Sequence, residues 1–170
     1  PRMSAVESFP PIVAPGARVL ILGSMPGVAS LSAGEYYAHP RNAFWRILGA
    51  SLGFAAGAPY AERVAGLKAG GVAVWDVLRT CVRPGSLDAA IERMSEVPND
   101  LVGLLAEHPS IRRVCFNGGT AAAAFRRHVS PARLAALGSL DLRTLPSTSP
   151  ANASWSFERK LAAWSVALKE

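Results

Sequence analysis

The feature that most limits what this chain can fold into is a recurrence of four short apolar runs: Val19 to Leu22, Val72 to Trp75, Val114 to Phe116 and Leu142 to Leu145. Between them lie longer stretches with helical character, Phe44 to Leu52, Ala61 to Lys68, Asp100 to Glu107 and Thr120 to His128. Runs so short and apolar read as buried strands, and their alternation with helices argues for βαβ units. The expected fold class is α/β: a three-layer α/β/α sandwich with a central four-stranded, mostly parallel sheet. A final helix is expected from an N-cap near Ser154 to Lys169, with Trp155, Leu161, Trp164 and Leu168 packing against the sheet. Pro1 to Gly16, rich in Pro and Gly, reads as an extended lead-in. With 170 residues, half of them apolar, the chain holds one substantial core and is too short for two ordinary domains, so residues 1–170 are read as one.

The segment after each run is as informative as the run itself. A parallel sheet brings the loops at the carboxyl ends of its strands to one edge, where open α/β sheets bind their ligands. Those loops are Gly23 to Gly27, then Asp76-Val77-Leu78-Arg79, then Asn117-Gly118-Gly119-Thr120, then Pro146 to Asn152. Small residues, amides, an acid and an arginine are therefore expected to converge in one composite site, with Asp76 and Arg79 in a wall-forming loop after the second strand.

Composition narrows the chemistry. The apolar stretches are broken well short of the roughly 18 to 20 residues a membrane span needs, and no charged segment leads into an apolar signal core, so a soluble cytoplasmic protein is expected. Cys81 and Cys115 form no CxxC pair and are expected as reduced thiols, Cys115 in the core. They cannot supply an all-thiolate iron–sulfur cluster, and His39, His108 and His128 have no metal-ligand spacing, so no metal and no cofactor are expected. The formal charge of +6 is carried mainly by arginine, which suits phosphate contact. An alanine- and arginine-rich composition can equally reflect codon supply, so position has to decide.

Gly23-Ser24-Met25-Pro26-Gly27 is too short for a phosphate-binding Walker loop and does not match GxGxxG; Ser24 also sits one place early for a serine nucleophile elbow. By itself it is an ordinary strand-ending turn. Tyr37 and Phe44 are core aromatics or base-stacking faces; Tyr36-Tyr37 stands among polar and turn-forming residues, where an aromatic face is more available. Asn42 is either the cap of the next helix or an amide that orients water or reads a base edge. Asn117 has the same two readings, and the double glycine after it allows close approach to the backbone. The loop Ser147, Thr148, Ser149, Pro150, Ala151, Asn152 is a stiff segment offering backbone and hydroxyl donors to phosphates, or a turn into the last helix.

Taken in order, GSMPG, YYAHPRNAFW, FNGG and LPSTSPANAS resemble the uracil-DNA glycosylase superfamily, and within it the hypoxanthine-DNA glycosylase branch, from about Val19 to Lys160. His39-Pro40-Arg41-Asn42-Ala43-Phe44-Trp45 is also similar to the HPxNxFW signature of mismatch-specific uracil/thymine glycosylases. Two departures stand out. The position matching the catalytic Asn of the mismatch-specific GINPG motif is Met25, and the position matching the His that opens the classical HPSPLS motif is Leu145. The hypoxanthine branch instead implies Asn42 and Asn117 as the working amides.

The resemblance implies a monofunctional glycosylase acting on DNA that carries deaminated bases, hypoxanthine or uracil; a monomer is expected. Asn42 would position the attacking water, Tyr37 and Phe44 would hold the base by its face, and Asn117 would bond its edge. Backbone donors of the Gly23-Ser24-Met25-Pro26-Gly27 turn and of Ser147 to Asn152 would grip flanking phosphates, and the Ser149-Pro150-Ala151 tip would fill the vacated stack. Lys68, Lys160 and Lys169 lie outside the motifs, so no lyase chemistry is expected. The other reading is a catalytically inactive DNA- or nucleotide-binding protein of the same fold, as Met25 and Leu145 permit.

Overall fold

All four apolar runs are strands of a single sheet in the computed structural model, which describes residues 4–169. Numbered in chain order after a two-residue strand β1 (Val6–Glu7), they are β2 (Val19–Gly23), β3 (Val72–Asp76), β6 (Arg113–Asn117) and β7 (Asp141–Leu145). The sheet runs β3-β2-β6-β7 and every pair in it is parallel, Ile21 lying level with Val74 on one side and Cys115 on the other. β2 is central and buried on both faces, which is why its sequence is a continuous apolar run and not an alternating one.

Helices cover both faces. Val19, Ile21, Val72, Val74 and Cys115 pack against α2 (Phe44–Leu52), α3 (Tyr60–Ala69) and α7 (Phe157–Lys169), with Trp164 fully buried among them. Leu20, Leu22, Ala73, Val114 and Phe116 face the other way, onto α4 (Leu101–Glu107), α5 (Gly119–His128) and α6 (Pro131–Ala135). The connection leaving β2, through α1 (Val28–Ala33), α2 and α3, therefore crosses one face, while those leaving β3 and β6 cross the other. Neighbouring strands β2 and β6 send their chains to opposite faces, and this opens a crevice at their carboxyl ends.

The structure corrects several expectations. The fourth run is not a buried strand: β7 is the sheet's edge, Leu142 is 43 % exposed and only Leu145 is buried, as its intervening Arg143 and Thr144 require. The last helix begins at Phe157; Ser156, not Ser154, supplies its first-turn acceptor, receiving the Arg159 N–H at 3.2 Å. Trp155 thus precedes the helix and carries the Arg159 guanidinium over its ring instead of joining the core. Asp76 and Arg79 do not share a loop, because β4 (Leu78–Cys81) begins at once and pairs with β1 and with β5 (Val97–Pro98) in a second, antiparallel sheet. The lead-in is extended as expected within the described residues, and it also pairs, Ile12 bridging to Val74. Cys81 and Cys115 are buried free thiols in the clusters on opposite faces. No helix among the described residues is long and apolar enough to cross a membrane.

Candidate active site

At the carboxyl ends of β2 and β6 the crevice widens into a cleft of about 920 Å³ that collects all four motif segments. Gly23 to Gly27 forms one side, Asn117 to Gly119 and Pro146 to Asn152 the opposite one, and Tyr37, His39, Arg41 and Asn42 a third. A segment without a strand or helix signal in the sequence, Ser86 to Ala89, closes the remaining side.

Tyr37 shows how the aromatic wall is held. Its φ of 53° is left-handed, a backbone conformation a bulky residue takes only where its surroundings impose it. The ring stacks on Phe44, centroids 4.0 Å apart and planes 19° from parallel. Phe44 is fully buried and meets Trp45 and Trp164 edge to face at 5.0 and 6.3 Å. Tyr37 lines the cleft and Phe44 does not, so of the two expected stacking residues Phe44 backs the other. Tyr36 diverges from its neighbour, burying its ring and donating its hydroxyl to the Pro10 carbonyl at 2.9 Å.

The two asparagines are joined through Thr148, which is 1 % exposed. Asn117 Nδ2 donates to Thr148 Oγ1 and Asn117 Oδ1 accepts the Thr148 N–H, both at 2.9 Å. Thr148 in turn accepts the Ala43 N–H at 3.0 Å on its carbonyl, tying the last loop to the segment that carries Asn42. Asn117 therefore does not cap α5, whose N-cap is Gly118 at φ 95°. Asn42 does serve α2: its Oδ1 accepts the Phe44 N–H at 3.0 Å. An amide has two N–H groups and two lone pairs on oxygen. Asn42 thus keeps both donors and one lone pair for a ligand, and Asn117 keeps one of each.

The Gly23 to Gly27 turn is fastened from just beyond β4. Arg83, buried, donates Nη2 to the Pro26 carbonyl at 2.6 Å and Nε to the Gly85 carbonyl at 2.7 Å, with Nη1 3.5 Å from the Met25 carbonyl. Arg83 thus fastens the turn without lining the cleft; Arg79, exposed on β4, does not line it either, and the arginine that does is Arg41. Met25 turns its side chain into the core. Ser24 Oγ donates to Asp88 Oδ1 at 2.6 Å, and Ser86 Oγ accepts the Val28 N–H at 2.9 Å, so the 86–89 segment is pinned to the same turn. Neither Arg83 nor Asp88 lies in a recognisable motif; only the folding back of β4 brings Arg83 to the turn and Asp88 to the cleft.

Asp76 ends β3 on the cleft floor, 3 % exposed. Burial first, and then the neighbouring charge of Asp88, push its carboxyl up to about 7, with Arg83 opposing them. A Cβ on Gly23 would lie 2.5 Å from Asp76 Oδ1 and 2.9 Å from the Tyr37 hydroxyl, so glycine at this point is what lets the acid and the phenol close in. Burial also raises the Tyr37 phenol well above its ordinary range, keeping it protonated.

In the last loop, Ser147 Oγ accepts the Ser149 N–H and Ser149 Oγ accepts the Ala151 N–H, both at 3.2 Å, while Asn152 Nδ2 donates to the Ser147 carbonyl at 3.1 Å. The hydroxyls stiffen the loop and retain their own protons as donors. Trp164 Nε1 holds the Pro146 carbonyl at 2.9 Å. Lys160, which sequence order alone leaves outside the motifs, is buried with Nζ 3.4 Å from the Ser149 carbonyl; burial, aided by Arg46, lowers its ammonium pKa.

The chain and its fold have counterparts among known proteins. The family model described as "Uracil DNA glycosylase superfamily" matches residues 10–168. A protein of Methanosarcina acetivorans named hypoxanthine DNA glycosylase is 34 % identical over 155 residues, spanning 91 % of this chain and 92 % of that one. A Methanosarcina barkeri protein of the same name is 36 % identical over 113 residues, 66 % of this chain and 70 % of its own. The solution NMR structure of a candidate uracil DNA glycosylase from Methanosarcina acetivorans superposes with a TM-score of 0.81 at 30 % identity, covering 98 % of each chain.

Proposed function

This chain belongs to the uracil DNA glycosylase superfamily, and we propose that within it the protein is a monofunctional enzyme that hydrolyses the N-glycosidic bond of a deaminated base, hypoxanthine or uracil, extruded from DNA, the opening step of base excision repair. The observation that carries this reading is the convergence of the Tyr37 face and the Asn42 and Asn117 amides on one cleft between two polar loops. Its volume of about 920 Å³ lies at the large end of the roughly 300–1,000 Å³ that small-ligand sites span. The name carried by the two Methanosarcina relatives favours deoxyinosine among the candidate substrates.

In this reading the extruded base lies on Tyr37, whose orientation is fixed by Phe44 beneath it. The spare donor and acceptor of Asn117 meet the base edge. Asn42, immobilised by the Phe44 N–H, presents its free groups to the attacking water. As the bond from C1′ to the base breaks, its electron pair leaves with the base; the water oxygen bonds to C1′, and a water proton ends on the released base. The barrier lies mainly in charge separation between an oxocarbenium-like sugar and the departing base, which preorganised dipoles reduce without a strong general base.

The test is single-turnover base release from oligonucleotides carrying deoxyinosine or deoxyuridine, single- and double-stranded, for the intact protein and Asn42→Ala. Release from the intact protein, with the variant about 10²–10³-fold slower and still folded, is the expected result. DNA binding without release from any substrate would make the chain a non-hydrolytic member of the fold. Borohydride is expected to trap no covalent DNA adduct; an adduct lost in Lys160→Met would instead assign lyase chemistry to the lysine beside the loop.

A further inference from the structure

Asp76 is the buried acid on the cleft floor that the mechanism above leaves unused, and its surroundings suit only its neutral form. Oδ2 is buried without a hydrogen-bond partner, and the Tyr37 hydroxyl lies on the same side of Gly23. The nearest cation, Arg83, spends its guanidinium on the Met25, Pro26 and Gly85 carbonyls. Asn99 Nδ2, at 2.8 Å, binds the main-chain carbonyl of Asp76 and not its carboxyl. The other titratable neighbours are Tyr36 and Tyr37 from the connection before α2 and Asp88 from the 86–89 segment, an acid and two phenols that give the carboxylate no countercharge. A buried carboxylate with no donors aimed at it is costly, whereas a neutral carboxyl in the same place is a donor awaiting an acceptor. The space it faces is the cleft.

We propose that Asp76 is a further catalytic residue, its neutral carboxyl donating a hydrogen bond to the carbonyl edge of the inserted base and holding the negative charge that gathers there as the bond to C1′ breaks. This rests on the glycosylase reading above. A neutral acid kept in an apolar site to stabilise a developing oxyanion is an established catalytic device. Asp76 ends the turnover as it began, since the proton that completes the free base comes from the attacking water. Deamination replaces an amino donor on the base by a carbonyl acceptor, and that is the change an O–H donor senses.

Two measurements test this together. The first is the pH dependence, from 5.5 to 9, of single-turnover base release by the intact protein, Asp76→Asn and Asp76→Ala. Wild-type rate is expected to fall as pH rises above about 7. Asp76→Asn, which keeps an N–H donor, is expected within about tenfold of wild type and without the alkaline fall, and Asp76→Ala at least about 100-fold down. A wild-type rate that rises through this range, with Asn as damaging as Ala, would mean that Asp76 works as a carboxylate base and would overturn the proposal. The second is the NMR titration of the Asp76 carboxyl in the free protein, where an ordinary carboxylate value overturns the proposal without reference to catalysis. A protein inactive on every substrate overturns the glycosylase reading however Asp76 titrates; an active protein with an ionised Asp76 overturns only the role given to Asp76.

Discussion

At the scale of single residues, Asp76 and Tyr37 have been placed at the cost of stability. Asp76 titrates near 7 in the folded protein against an ordinary value near 3.8, so the folded state binds its proton more tightly than the unfolded chain does. Its contribution to stability is therefore complete below about pH 4 and is lost as pH rises through about 7. Asp76→Asn removes that dependence, and the stability of the variant relative to wild type is expected to grow by up to about 4 kcal/mol between pH 4 and 8; chemical denaturation at the two pH values measures it. A difference that shrinks with rising pH would show that the carboxyl is held ionised. For Tyr37, the ring and not the hydroxyl should carry base binding. Tyr37→Phe is expected to keep affinity for an oligonucleotide with a non-hydrolysable deoxyinosine analogue, and Tyr37→Ala to lose about 1–3 kcal/mol of it, measured by fluorescence anisotropy. Tyr37, Asn42 and Asn117 are legible in the chain because each stands in a motif beside a strand or helix end. Arg83 is not, since nothing local in Cys81-Val82-Arg83-Pro84-Gly85 records that β4 folds back to fasten a turn more than fifty residues earlier.

At the scale of elements, the cleft is assembled by one short segment. Loop 146–152 is held by Thr148 on one side and by Trp164 on the other. Thr148→Val keeps the shape and both main-chain bonds but removes the acceptor for Asn117 Nδ2, leaving a part-buried donor unpaired; a loss of about 1–3 kcal/mol is expected. Hydrogen exchange should quicken at loop 146–152 and at 42–44 while β2 and β6 stay protected. Exchange unchanged in both segments would show that Thr148 is not their link. Strands and helices with full apolar patterns are readable in the chain, since burial on both faces dictates continuous apolar runs in β2, β3 and β6. The pattern misleads at β7, where an edge position tolerates Arg143 and Thr144 inside a run that reads as buried, and at the start of α7, where Ser154 and Ser156 compete as caps. It is silent on α1 and the 86–89 segment, both too short to show a period.

At the scale of the whole molecule, a net charge of +6 and an arginine at the cleft rim predict that DNA affinity falls steeply with salt. Arg41, exposed there, should contribute one phosphate contact. Arg41→Ala is expected to lower affinity for any sequence alike and to reduce the slope of log K against log salt by about 1; titrations across salt concentrations read this directly, and an unchanged slope would place Arg41 off the DNA path. The order β3-β2-β6-β7 has a bearing on synthesis as well. The first motif is made early, but its cleft closes only when β6, β7 and finally Trp164 of α7 have taken their places. A nascent chain that has not yet released α7 from the ribosome carries every residue that lines the cleft but lacks the Trp164 and Lys160 bonds that hold the Pro146 and Ser149 carbonyls of its last loop. Premature stops anywhere before Trp164 should therefore abolish base recognition as completely as loss of the first strand.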